Sequence, residues 1–269
     1  MKKDPMIISE TKEEREKELN YFFTGNKELL EKLKRLDEKK NRIKELKKEY
    51  GPLEEPLVIT ISGTPRAGKT TCIENLFEFL KKSDMKTSCL EEPAGLVYKT
   101  LQNKEEKKEL LKDRVGFVER QFEIGEEHIT NALGSNDIIL CDRGILDTFI
   151  WYNMYYKLGL IDENKYQEFL RRIEKVKSYD NLFYALHATS DCSMRRDYLS
   201  SLSIEQRTTM NRQNVDRYNE AMLSLMPTFY ENVPAKLIET TKKDRMEASI
   251  IIANQTLDIV ENKYVRSRR

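Results

Sequence analysis

The chain has 269 residues, of which 39% are hydrophobic and 35% charged, with 47 basic and 46 acidic side chains. That length suits one large domain or one domain with an appendage, and the near balance of charge excludes a global basic field for nucleic acid. The N-terminus turns acidic too soon for a secretory signal, and no apolar run reaches bilayer length. Four scattered cysteines (Cys72, Cys89, Cys141, Cys192) and only two histidines (His128, His187) argue against a disulfide framework, a zinc site or a histidine-based triad. The expectation is a soluble, cytoplasmic protein.

Residues 1–50 are dominated by Lys and Glu and form a charged helical arm. Leu29, Leu36, Ile43 and Tyr50 recur every seven residues, with Leu33 and Leu46 near the complementary positions and Lys40 interrupting the second stripe. Two readings fit that heptad: a coiled-coil arm for dimerisation or partner binding, and an amphipathic helix lying on the protein's own core. Gly51, Pro52 and Pro56 break the helix and mark a boundary, with residues 51–269 forming the second unit.

From residue 57 the pattern alternates. Strands are predicted at 57–62, 87–92, 137–142, 181–187 and 235–239. Helices are predicted at 69–82, 113–133, 148–157, 163–177, 211–225 and 248–265. Strands separated by helices of this length imply an α/β fold, a parallel sheet flanked by helices on both faces.

Gly63, Thr64, Pro65, Arg66, Ala67, Gly68, Lys69 and Thr70 match G-x-x-x-x-G-K-[ST], the phosphate-binding P-loop, and Thr71 follows. The glycines let the backbone wrap an anion, and the following helix presents its positive end to it. Lys69 is expected to reach the β- and γ-phosphates of ATP, and the Thr70 hydroxyl to ligate Mg²⁺. An apolar strand before the loop and a helix after it supply the context the motif needs. The strand at 137–142 ends in Asp142 beside Arg143. Next to a P-loop, Asp142 is a candidate to order Mg²⁺ or its water, and Arg143 to face the crevice beyond the strands. The plainer reading is an ion pair at a strand end.

Glu92 and Pro93 after the second strand, then Asp142, Arg143 and Gly144 after the third, resemble the pattern of deoxynucleoside kinases and the related thymidylate kinases. The stretches 159–170, 181–184 and 191–196 are similar to the second half of deoxynucleoside kinases, so the resemblance covers about residues 57–263 and leaves out the arm. It implies a P-loop kinase fold and roles for particular residues. Glu92 would accept the proton of the acceptor's sugar hydroxyl, and Arg143 would orient that acceptor. Gln121 would hydrogen-bond the base. Arg195 and Arg196 would begin an arginine-bearing lid that neutralises the transferring phosphoryl. The chain also departs from the pattern. Thymidylate kinases carry Arg where Glu91 stands, Asp142-Arg143-Gly144 is nearer the thymidylate kinase form than the deoxynucleoside kinase one, and Arg207, Arg212 and Arg217 are loosely spaced. Each role has a plainer counterpart: Glu92, Gln121 and the two arginines as solvated surface groups. Trp151, Tyr152, Tyr155 and Tyr156 either stack a base or fill the core.

The function expected is an ATP- and Mg²⁺-dependent phosphotransferase for a nucleoside or nucleoside monophosphate, with a small-molecule acceptor, no membrane partner and no strong signal for nucleic acid. Two alternatives stand beside it. One is a nucleotide-gated interaction module, whose GTPase form lacks an N-K-x-D segment; the other is a kinase of another small hydroxyl metabolite.

Overall fold

A computed structural model describes residues 26–101, 104–176, 181–201, 211–232, 234–242 and 245–266. Expectations for residues 1–25 of the arm and for Arg207 lie outside the described residues.

Five strands form one parallel sheet: β1 (Leu57–Gly63), β2 (Thr87–Leu90), β3 (Ile138–Asp142), β4 (Leu182–His187) and β5 (Ala235–Glu239), in the order β2-β3-β1-β4-β5. The central strand is buried along its whole length because helices cover both faces, as a parallel sheet requires. Successive side chains serve opposite faces. Leu57, Ile59, Ile61, Ile138, Leu140, Leu182, Tyr184 and Leu186 belong to one core. Val58, Ile139, Cys141, Phe183 and Ala185 belong to the other. The α/β class read from the strand–helix alternation is the one observed.

The first core is roofed by α1 (Lys27–Tyr50), α2 (Lys69–Lys81) and the C-terminal helix. The Asn26 side chain accepts from the Leu29 N–H at 3.0 Å and starts α1; Gly51, at φ 83°, ends it. Of the heptad, Leu36 and Ile43 are buried, as is Leu46, in the same core as β1 and α2, while Tyr50 is exposed. Lys47 ties the helix down further: its Nζ donates to Asp137 Oδ2 and to the Asp84 carbonyl, both at 2.6 Å. Asp137 in turn accepts from the Leu53 N–H at 3.0 Å and the Lys86 N–H at 2.7 Å. Of the two readings of the heptad, the described part of the helix follows the one in which it lies on the chain's own core.

The second core is closed by α5 (Arg114–Ala132), α6 (Gly144–Lys157), α7 (Glu163–Val176) and α9 (Arg212–Asn232); the remaining described helices are α3 (Pro93–Thr100), α4 (Lys104–Lys112), α8 (Ser190–Ser201) and α10 (Arg245–Arg266). Helices α3, α4 and α8 were not anticipated; each is short or highly charged and lacks a long apolar period. Helix α6 starts four residues before the predicted segment, because Arg143 at φ 69° turns the chain into it straight from β3. Tyr152 is buried with its ring stacked 3.8 Å from Phe169, and Tyr156 stacks 4.0 Å from Tyr166. These two aromatics pack helix against helix. No described helix is long and apolar enough to cross a membrane.

Candidate active site

The chain turns back at β1, whose neighbours β3 and β4 are reached in opposite directions, and the carboxyl ends of these strands open a crevice there. At the end of β1 the chain passes so close to β4 that a Cβ on Gly63 would stand 2.0 Å from the Leu186 carbonyl oxygen. Only glycine fits, and the Thr64 N–H donates to that same carbonyl at 2.8 Å. Pro65, Arg66 (φ 60°) and Ala67 carry the turn, the Ala67 N–H donates to the Thr64 carbonyl at 3.0 Å, and Gly68 (φ 99°) swings the chain into α2. The result is a closed cradle at a helix N-terminus, which fits a polyphosphate.

Lys69 is buried beneath this cradle, and its Nζ donates to the Gly63 and Thr64 carbonyls, each at 2.9 Å. Burial, reinforced by the nearby Arg143 cation, brings its pKa down to about 7, against the pull of Asp147, Asp142 and Glu92. Thr70 is exposed in the first turn of α2 and Thr71 is half-buried beside it. Asp142 closes β3 opposite Ile61 of β1. Its carboxyl is pushed up to about 6, chiefly by burial, with Glu92 adding to the rise and Arg143 and Lys69 opposing it. An exposed hydroxyl and a destabilised carboxylate beside the cradle are a donor set that fits Mg²⁺. Among the described residues no cluster of three or more His, Cys, Asp or Glu is placed to hold a metal by itself, so water and phosphate oxygens would supply the remaining ligands.

Across the crevice, Asp142 leads directly into Arg143, whose N–H donates to the Ile61 carbonyl at 3.0 Å. Gly144 must be glycine: at φ 56°, a Cβ there would stand 2.7 Å from Thr60 Oγ1. This tight turn aims the Arg143 side chain at two carboxylates. Its Nε lies 2.6 Å from Glu92 Oε1, and Nη1 lies 3.6 Å from Asp147 Oδ2. Burial alone would lower the Arg143 pKa, but Asp147 and Glu92 outweigh it and hold the guanidinium charged. Glu92 caps α3 while its neighbour Glu91 turns outward to pair with Lys99, so only one of the two faces the crevice. Gln121 is buried on α5, one turn before Gly125, where that helix face meets Pro93 and Ile145. Its amide forms no hydrogen bond among the described residues.

Arg195 is exposed on α8. Arg196 lies against backbone: Nη2 donates to the Thr240 carbonyl at 2.8 Å and Nη1 to the Arg66 carbonyl at 3.2 Å. Next to it, Asp197 is buried and receives the Arg66 guanidinium at 2.7 Å. The adjacent pair thus grips one P-loop residue by both its backbone and its side chain. Asp147, Asp197, Tyr218 and Asn219 were missed by sequence reasoning. Asp147 carried a signal, an acidic residue four positions after Arg143 on a helix. The others meet the loop from across the fold and carried none.

The family profile described as AAA domain matches residues 58–235, which is 178 of the 269 residues. The chain belongs to the AAA domain family. Solved structures of the deoxyadenosine kinase from M. mycoides share the family member's fold. The form with bound dCTP aligns at a TM-score of 0.55 and 16% identity, covering 75% of this chain and 99% of that one. The form with bound dATP gives a TM-score of 0.55 and 16% identity, with 75% and 100% covered. The form with the products dCMP and dCDP gives 0.53 and 16%, with 75% and 99% covered. No curated protein matches the sequence. The resemblance to P-loop deoxynucleoside kinases therefore holds for the fold.

Proposed function

We propose that the protein is an ATP- and Mg²⁺-dependent phosphotransferase acting on a nucleoside or nucleoside monophosphate. The observation that carries this reading is the contact between Glu92 and Arg143, 2.6 Å apart at the rim of a crevice whose other wall is the phosphate cradle. A carboxylate held by a guanidinium opposite a P-loop is the equipment for passing a phosphoryl group to a hydroxyl. The likeness of fold to deoxyadenosine kinase supports the same class.

In this reading the loop from Gly63 to Thr71 binds the triphosphate through its backbone N–H groups, and Lys69 leaves its resting carbonyls to meet phosphate oxygens. Mg²⁺ held by Thr70 and Asp142 would neutralise charge on the terminal phosphates. Arg143 orients the acceptor. Glu92 takes the proton the acceptor hydroxyl loses as its oxygen bonds to the terminal phosphorus, while the bridging P–O bond breaks and ADP departs. Gln121, buried with an open amide, holds the base. Arg196 serves by fixing the backbone of Arg66, and the exposed Arg195 is the one of the pair free to reach the phosphoryl group.

The test is a screen of purified protein with ATP and Mg²⁺ against nucleosides, monophosphates and other hydroxyl metabolites, read as ADP release. Release with at least one nucleoside or monophosphate is expected. Release with none of these but with another hydroxyl compound would replace the acceptor class; acceptor-independent release alone would replace the kinase reading with a nucleotide-gated module.

A further inference from the structure

Two neighbouring side chains on α9 reach the two halves of the crevice at once. Tyr218 is fully buried, and its hydroxyl donates to Asp147 Oδ1 at 2.6 Å. The same carboxylate oxygen accepts from Ser62 Oγ, and the two hydroxyls stand 3.2 Å apart. The other oxygen of Asp147 faces Arg143. Asn219, the next residue, is also buried. Its Oδ1 accepts from Thr64 Oγ1 at 2.6 Å and its Nδ2 donates to the Ala188 carbonyl at 2.9 Å. The Ala188 N–H closes the ring by donating to Thr64 Oγ1 at 3.1 Å.

Strand geometry explains why one helix can do both. Ser62 and Thr64 are two positions apart at the end of β1, so both point to the face that α9 covers, one on each side of Gly63. Consecutive helix residues diverge by about 100°. Tyr218 therefore meets the β3 side of β1 and Asn219 meets the β4 side. Every polar atom in the two networks is buried, where a hydrogen bond left unmade is costly and the geometry is correspondingly fixed.

We propose that Tyr218 and Asn219 form a positioning clamp that holds the phosphate loop and the acceptor-side Arg143 in register with one another. Asn219 sets the loop through Thr64. Tyr218 sets Arg143 through Asp147. Neither touches the reacting atoms, and a register error of about 1 Å between donor and acceptor is enough to slow a transfer about 100-fold. The clamp rests on the phosphotransferase reading for its purpose, but its two arms have readouts that need no acceptor.

The test uses the full chain with Tyr218→Phe and Asn219→Leu. Binding of the imido analogue of ATP with Mg²⁺ is measured by calorimetry, and exchange of the Arg143 Nη–H groups, the ones that face Asp147, by ¹⁵N NMR, their signal assigned by its loss in Arg143→Lys. With Tyr218→Phe, analogue affinity stays within about twofold of wild type, the Nη–H groups exchange about 10-fold faster, and kcat falls about 10-fold or more at an unchanged KM for ATP. With Asn219→Leu, which removes the acceptor of Thr64 without adding charge, analogue affinity falls about 10-fold while Arg143 exchange is unchanged. Asp147→Leu and Thr64→Val break the same bonds from the other end and replace either variant should it fail to fold. Wild-type exchange at Arg143 in Tyr218→Phe, or wild-type nucleotide affinity in Asn219→Leu, overturns the clamp. So does a wild-type protein that binds no nucleotide. A wild-type protein that binds the analogue yet phosphorylates no acceptor overturns the proposed function, and the two acceptor-independent measurements still decide the clamp.

Discussion

Arg143 Nε stands 2.6 Å from Glu92 Oε1, although the two residues follow different strands and three helices lie between them in the chain. The contact exists because β2 and β3 are neighbours in the sheet, so their carboxyl ends deliver both side chains to one edge of the crevice. It leaves Glu92 oriented and partly exposed at the crevice, the geometry the proposed general base requires.

Glu92→Gln keeps the shape of the side chain and removes its charge. We expect the rate of phosphoryl transfer to fall by about 10²–10⁴-fold with nucleotide affinity unchanged. Glu91→Gln, which disturbs only an exposed pair with Lys99, is expected to change the rate by less than about twofold. Steady-state ADP release for the two variants side by side checks both. Equal sensitivity at the two positions would remove Glu92 from the role.

Lys69 and Thr70 test the donor side. Lys69→Met retains an apolar stem in a buried position and deletes the cation; Thr70→Ala deletes an exposed hydroxyl. Each is expected to lower kcat by about 10²–10³-fold, the usual loss when one charge-stabilising group is removed. Far-ultraviolet circular dichroism should show an intact fold, and a Thr70→Ala rate that still rises with Mg²⁺ as in wild type would remove that hydroxyl from the metal site.

The N-terminal helix is expected to matter for stability. Ile43 and Leu46 are essentially inaccessible in the core shared with β1. Ile43→Ala or Leu46→Ala should cost about 2–5 kcal/mol in denaturant unfolding, the range for emptying a buried aliphatic position. Deleting residues 1–50 should lower the melting temperature further. A truncated protein as stable as the full chain would show that this helix is an appendage.

Lys47 and Asp137 give a sharper version. Asp137 is buried and accepts two backbone N–H groups as well as the Lys47 ammonium. Lys47→Met leaves that carboxylate without its counter-ion, and about 3–5 kcal/mol of destabilisation is expected. The double variant Lys47→Met/Asp137→Asn should recover part of the loss, since the charge is then gone from both sides; chemical denaturation of the three proteins checks it.

Gly63 and Gly144 were chosen by close approach as well as by turn geometry. Gly63→Ala would put a methyl group 2.0 Å from a backbone carbonyl that cannot rotate away, so poor folding or loss of nucleotide binding is expected. Gly144→Ala meets the Thr60 side chain at 2.7 Å and should be relieved in part by Thr60→Ser, with thermal melting as the readout.

What the sequence determined by itself was whatever depends on neighbours along the chain. The strand–loop–helix around Lys69 was legible because the glycines, the lysine and the flanking apolar run are contiguous. The parallel sheet was legible because each buried strand is a short β-branched run between helical periods. Arg143 could be named as a candidate from the strand end beside it, and Glu92 from the family resemblance that the Glu92-Pro93 pair carries. Tertiary structure alone decided what meets across the fold. The heptad of α1 admitted a partner helix or the chain's own core with equal logic, since the apolar stripe is the same in either case; packing against the sheet and the C-terminal helix settled it for the described residues. Arg196 carried the same charge whether it faced a phosphoryl group or a carbonyl, and only the approach of α8 to the P-loop put it on the backbone of Arg66. Thr64 and Asn219 lie 155 positions apart. No local pattern can encode such a pair, because the bond between them depends on strand order and on which face α9 covers.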